Sequence, residues 1–299
     1  MYMEKPTKSD QIKSVESKIV KLVDKVGDNE PESYRQSDVD RWGRSESIRK
    51  LTGKLFDPMY TKYFRAEWEG LEKIPTKGGA LLVSNHAGAI PPDAPVIMHG
   101  IEKELNRPVY GLADFWFRTL PIAGTLWNRG GGVPAHPSNA YGILHDDQQL
   151  ALVFPEGSKG PSKLYKERYQ LRRFGRGGFV EIAMKSGVPI IPIAVVGAEE
   201  AMPILTKLPS ISKALKLPYF PITLNQVLLT PFLGPILASV AYLPAKFKIR
   251  VLDPIHFDVP PDQARYSKTK ILDESENIRL RIQDAIYDML AHRKNPWLG

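Results

Sequence analysis

Residues 79–93 read GALLVSNHAGAIPPD, an apolar run that ends in Asn85, His86, a glycine, two prolines and Asp93. A short run without polar alternation fits a strand covered on both faces, as in parallel sheets flanked by helices. A histidine leaving such a strand can direct its imidazole into the crevice at the strand's carboxyl end, where open α/β sheets place their sites. Gly88, Pro91 and Pro92 let the loop fold back so that Asp93 can reach the ring. A carboxylate there fixes the tautomer and stabilises the imidazolium that forms when the other nitrogen takes a proton from a hydroxyl. The plainer alternative is that His86 ties down the loop and Asp93 caps the next helix. Asp93 can do both.

Outward from this run, the pattern alternates between strands and helices. Strands are expected at 66–71, 79–84, 108–112, 149–154, 189–196 and 246–252, and helices at 95–104, 138–145, 178–186 and 269–291. That alternation predicts an α/β fold: one largely parallel or mixed central sheet flanked by helices. Toward the N-terminus, Ile12, Val15, Ile19, Leu22, Val23 and Val26 recur at helical spacing, the mark of an amphipathic helix over 9–26. A polar linker (27–40) and a second helix ending near Phe56 follow. The organisation read from this is an N-terminal helical region, 1–60, membrane-associated in function, and an α/β domain, 61–299.

A second cluster, VFPEGSKG at 153–160, again ends an apolar strand in proline, carboxylate, glycine and cation. Glycine lets backbone N–H groups approach an anion, and lysine adds a point charge. The spacing is not that of a nucleotide-hydrolysing phosphate loop. From Pro155 to Lys185 there are eight basic residues (Lys159, Lys163, Lys166, Arg168, Arg172, Arg173, Arg176 and Lys185) against three acidic ones. They carry more than half of the chain's net charge of +8. Tyr165 and Tyr169 are interleaved, which also suits a nucleic acid, and a solvated helix face accounts for several of these side chains.

The chain has 299 residues and no cysteine, which excludes disulfides, thiolate metal sites and cysteine nucleophiles. His99, His136, His145, His256 and His292 show no metal-ligand spacing and read as structural or exposed. The first residues lack the apolar stretch of a secretory signal, so the cytoplasm is the expected compartment. Between Leu217 and Ala245 no residue is charged. Pro218, Pro221, Pro231, Pro235 and Pro244 interrupt this segment, which therefore reads as interfacial or buried irregular structure rather than a membrane span.

NHAGAIPPD, then FPEGSKG, then Val188-Pro189-Ile190-Ile191-Pro192-Ile193 resembles the glycerolipid acyltransferase superfamily, which includes 1-acylglycerol-3-phosphate acyltransferases. The resemblance covers roughly Trp68 to Ala198. It implies that His86 is the general base and Asp93 its orienting partner, and that Glu156, Gly157, Ser158 and Lys159 belong to an acceptor-binding motif. The stretch 124–133 looks like the family's arginine-containing block, so Arg129 is expected on an acceptor phosphate. The 188–193 run is expected on the acyl-chain side of the site. Six residues separate His86 from Asp93, against four in the best-known members, and Ser158-Lys159 stands where Thr-Arg is usual. The spacing points to a longer-loop branch similar to diacylglycerol acyltransferase-like proteins, and Lys159 keeps the charge but cannot make a bidentate fork to phosphate.

The reaction implied is fatty acyl transfer from acyl-coenzyme A or acyl carrier protein to a hydroxyl of a lysophospholipid or neutral glyceride. No cofactor, metal or nucleic acid is called for. The partners expected are a membrane lipid and the acyl carrier, with peripheral or monotopic contact at the cytoplasmic face of a membrane. Two other readings stay open: a thioester or lipid hydrolase using the same pair, and a non-catalytic lipid-binding homologue. No G-x-S-x-G elbow is present, which disfavours a serine hydrolase.

Overall fold

The computed structural model describes residues 38–114, 123–214, 217, 219–261 and 266–297. The expected helix at 9–26 and most of the linker at 27–40 lie outside them. One compact unit runs from Arg41 to Gly299. Helix α1 (Glu46–Pro58) belongs to this unit, so the boundary falls ahead of residue 61. It is tied there by Arg49, which donates to Glu102.

Seven strands form the main sheet: β1 (Glu67–Glu69), β2 (Ala80–Ser84), β3 (Val109–Ala113), β4 (Gly132–Pro134), β5 (Leu150–Val153), β6 (Ile190–Val196) and β9 (Lys248–Val251). Their spatial order is β1-β9-β6-β2-β5-β3-β4. Pairing is parallel throughout except between β6 and β9, so the sheet is mixed but largely parallel. All five β2 residues are buried, because helices cover both faces. Leu82 joins Val96, Ile97 and Ile101 of α2 (Asp93–Leu105) on one side. Leu81 and Val83 join the other side, with Val180 and Met184 of α5 (Gly178–Ser186) and Ile278 and Ile282 of α9 (Lys268–Ala291). Period-two alternation of strand side chains thus divides the core into two layers.

Between β3 and β6 lie α3 (Ala123–Arg129) and α4 (Pro137–Tyr141), the latter continuing as a wider turn over Gly142–Asp146. Pro192 sits inside a central strand, where proline normally removes a ladder bond. Its carbonyl accepts the N–H of Leu252, immediately beyond the end of β9. The donor it lacks therefore faces the β9 side at the point where that pairing stops.

After β6 come α6 (Ala198–Ala201), a small antiparallel pair β7 (Ile204–Lys207) and β8 (Pro221–Thr223) flanking α7 (Pro209–Ala214), and then α8 (Leu224–Val240). The charge-free stretch is therefore largely helical, not irregular as its prolines suggested. The backbone breaks at Gly234 (φ 73°, ψ 167°), which separates two helical arms and places Pro235 at the start of the second. Proline is tolerated at a helix start because its missing N–H has no partner there in any case. Among the described residues no helix is long and apolar enough to cross a membrane.

Past the end of β2, the Asn85 side chain replaces a strand. Its amide donates to the Val195 carbonyl (2.9 Å) and accepts from the Val195 N–H (2.8 Å). Asn85→Ala leaves both buried backbone groups unsatisfied, and about 2–4 kcal/mol of stability should be lost. Urea unfolding with a fall in midpoint of corresponding size is the expected result; an unchanged midpoint contradicts it.

Candidate active site

The site forms where β2 and β5 end side by side. His86 leaves β2 and turns its Nδ1 onto the Asp93 carboxylate, 3.0 Å from each oxygen. Asp93 is fully buried at the first position of α2 and also accepts the N–H of Ala87 (2.8 Å) and of Ala94 (2.7 Å). The loop does fold back, through buried Gly88, whose φ of 87° brings it against the Ala198 carbonyl. Asp93 is at once helix-start residue and histidine partner, and the helix dipole favours a negative charge at this end. The imidazole lies flat on Phe154, with ring centroids 4.0 Å apart and planes 18° apart. With one nitrogen occupied and the ring plane fixed, Nε2 is left as the imidazole's proton acceptor, on a side chain 17% exposed.

The second motif supports the first from below. Glu156 has a fully buried carboxylate; one oxygen accepts the backbone N–H of His86 (3.0 Å), the other that of Arg172 (2.7 Å). Its negative charge faces Lys163 at 3.5 Å, itself buried. Lys163 also faces Glu199 at 3.2 Å, and Glu199 accepts the N–H of Tyr169. Gly160 passes so close to His86 that a Cβ there would stand 2.6 Å from the His86 carbonyl oxygen. A small recess opens beside this loop, with Gly88 and Gly160 on its wall. Lys163, Arg168 and Glu199 line its polar side, and Leu164, Met202 and Ile204 its apolar side.

The structure brings together His86, Asp93 and Glu156, but it changes the role expected of Glu156. Its oxygens are engaged with backbone and Lys163, so it positions the loop instead of contacting an acceptor. Gly157, Ser158 and Lys159 form an exposed single turn after it, and Lys159 has no ion-pair partner among the described residues. Arg129 does not join them. It ends α3 and precedes β4, so it sits at the amino ends of the parallel strands, whereas His86 follows a carboxyl end. Its guanidinium donates to the Gly43 carbonyl. The basic side chain that does follow β4 at the site's end of the sheet is His136, whose Nδ1 meets Ser138.

The basic cluster also resolves into parts. Lys163 is a buried counter-ion, Arg172 pairs with Glu167, and Arg168 lies over the Tyr165 ring. Lys159, Lys166, Arg173 and Arg176 are exposed. Phe154, Asn85 and Glu199 were not singled out as site residues. Their roles depend on which strand ends become neighbours, which no local pattern records. His99 is structural, held by Asp57 and by Phe56 and Tyr60.

The family described as Acyltransferase matches residues 65–196, from just before β1 through β6. An uncharacterized protein of Mycobacterium tuberculosis is 36% identical over 248 residues, covering 80% of this chain and 66% of its own length. A Bos taurus protein named "DGAT1/2-independent enzyme synthesizing storage lipids" is 28% identical over 148 residues, 50% of this chain and 43% of its own. The chain thus spans just under two thirds of the mycobacterial relative and under half of the bovine one. The crystal structure of the 1-acyl-sn-glycerophosphate acyltransferase from Thermotoga maritima matches with a TM-score of 0.52 at 18% identity, over 84% of each chain. An Acyltransferase family match thus covers the sheet from β1 through β6, and the chain shares the mixed α/β fold of the Thermotoga structure.

Burial pushes the Glu199 carboxyl from its ordinary 4.5 up to about 7, against the pull of Lys163. The folded protein therefore holds this proton more tightly than the unfolded chain does. Its contribution to stability is greatest below about pH 4.5 and is lost as pH rises toward 7. The other shifted carboxylates, such as Glu167 and Asp288, are lowered and titrate below that window. Melting temperature should fall between about pH 5 and pH 7, and Glu199→Gln should flatten that slope. Parallel slopes for the two proteins would contradict the assignment.

Proposed function

We propose that this protein is an O-acyltransferase that moves a fatty acyl group from a thioester to the hydroxyl of a glycerolipid. The observation that carries this reading is the Nδ1 bond to both oxygens of a buried carboxylate, 3.0 Å each, which leaves Nε2 as the base. The acceptor hydroxyl attacks the thioester carbonyl as Nε2 takes its proton. The tetrahedral intermediate then expels the thiolate, which recovers that proton from the imidazolium. Asp93 supplies orientation and counter-charge through both steps, and a positioned base of this kind contributes about 10² to 10⁴-fold.

The donor is acyl-coenzyme A or acyl carrier protein, supported by exposed Lys159, Lys166, Arg173 and Arg176, which suit phosphates or an acidic carrier. The acceptor is a neutral glyceride. Two observations favour it over a lysophosphatidate: Arg129 stands at the far end of the strands, and the bovine relative is named for making storage lipids. With such substrates the protein works at a membrane, as a peripheral or monotopic protein on its cytoplasmic face.

Labelled acyl-coenzyme A incubated with monoacylglycerol, diacylglycerol and lysophosphatidate tests the reading. Product is expected with a glyceride, and coenzyme A release should depend on the acceptor; acceptor-independent release would indicate hydrolysis instead. His86→Ala should reduce turnover by about 10² to 10⁴-fold, and Asp93→Asn by at least about 10²-fold, with circular dichroism unchanged. Full activity in His86→Ala would overturn the mechanism.

A further inference from the structure

Helix α8 is apolar on every side and yet largely uncovered. Phe232 is 83% exposed and Ile236 82%, and Val227, Leu228, Leu233, Leu237 and Val240 are also exposed. A helix that is hydrophobic all round belongs either in a protein core or in lipid. Its shape separates these cases. Gln226 and Ser239 lie thirteen residues apart, about 20 Å in a straight helix. Yet the Gln226 amide donates to the Ser239 hydroxyl at 3.0 Å, and the Asn225 amide to the Ala241 carbonyl at 2.7 Å. The two arms therefore run back along each other, and the chain reverses at Gly234. This is a helical hairpin with its most exposed residues at its tip. The first arm, residues 224–233, spans about 15 Å, close to half the roughly 30 Å hydrocarbon thickness of a bilayer.

The hairpin is rooted beside the catalytic loop. Leu224 N–H and the Asn225 amide donate to the carbonyls of Pro203 and Ala201, and the returning chain adds Leu243 N–H to Ala201. The same short turn receives the catalytic loop: Ala89 N–H donates to the Met202 carbonyl, and Gly88 packs on Ala198. Tyr219, just before β8, closes the arrangement by donating its hydroxyl to the Ala89 carbonyl at 2.7 Å.

We infer that the 224–240 hairpin is a monotopic membrane insertion that enters one leaflet and anchors the mouth of the active site against the lipid. This rests on the acyltransferase reading for its purpose, but the insertion is a physical property that stands or falls separately. A bilayer fits better than a second copy or a protein partner for two reasons. The segment offers no charged side chain from Leu217 to Ala245, and its arm length matches one leaflet. A docking surface for protein carries a polar rim, whereas the polar side chains of the two arms, Asn225, Gln226, Thr230 and Ser239, bond within the hairpin or to its root.

The full chain contains no cysteine, so Phe232→Cys creates a unique labelling site. The labelled protein carries an environment-sensitive fluorophore and is mixed with phosphatidylcholine vesicles, with or without phosphatidylserine. Insertion predicts a blue shift, severalfold brighter emission and quenching by nitroxides on the acyl chains. A label at Lys185→Cys, on α5, should show none of these. Ile236→Asp combined with Phe232→Asp should abolish vesicle flotation while leaving the circular dichroism intact. No spectral change with either vesicle type would overturn the inference. So would a label already shielded from aqueous iodide before lipid is added, since that shows a second copy or the chain's own N-terminal region covering the hairpin. Insertion without any acyl transfer would leave this inference standing and remove the proposed activity.

Discussion

One buried carboxylate organises the site. Asp93 receives the His86 ring nitrogen and the N–H groups of Ala87 and Ala94, so it fixes the ring, the loop that bears it and the start of α2 together. A fully buried carboxylate without such donors would cost several kcal/mol. Here each oxygen is satisfied by a group that the reaction needs held still. The extended loop from Ala87 to Pro92 is compatible with this contact because Gly88 reverses the backbone against Ala198.

Beneath that interaction lies a second set of buried charges. Glu156 joins the β2 loop to the segment around Arg172, and Lys163 balances it together with Glu199. Burial outweighs the pull of Lys163 on Glu199, and the neighbouring Glu200 charge adds to it, so Glu199 holds its proton to about pH 7. Phe154 completes the support by limiting ring rotation of His86. Preorganisation of this kind keeps the base aligned without relying on the substrate to order it.

Much of this was legible in the sequence, for identifiable reasons. The run ALLVS marked a buried central strand, and the glycine and prolines after His86 marked a loop able to return to Asp93. Helix α5 and strand β6 fell where periodicity put them. Strand β4 escaped notice because Gly130, Gly131 and Gly132 carry little strand propensity. Arg129 was expected on a phosphate from the resemblance of 124–133 to the family's arginine block, but it precedes β4 and so emerges at the end of the sheet away from His86. Glu156 was recognised as important but given the wrong contact. Sequence cannot say whether a carboxylate faces a cleft or the N–H of an adjacent strand end. The prolines of 217–245 suggested irregular structure, whereas Pro235 lies at a hairpin reversal where the helix ladder is interrupted anyway.

The tautomer of His86 decides the central claim most directly. Nitrogen-15 NMR of histidine-labelled protein at neutral pH, with the His86 resonances identified by their loss in His86→Gln, reads it without substrate. The account predicts a protonated Nδ1, donating to Asp93, and an unprotonated Nε2. A proton resting on Nε2 in the neutral ring would mean that the carboxylate does not set the base, and would contradict the account.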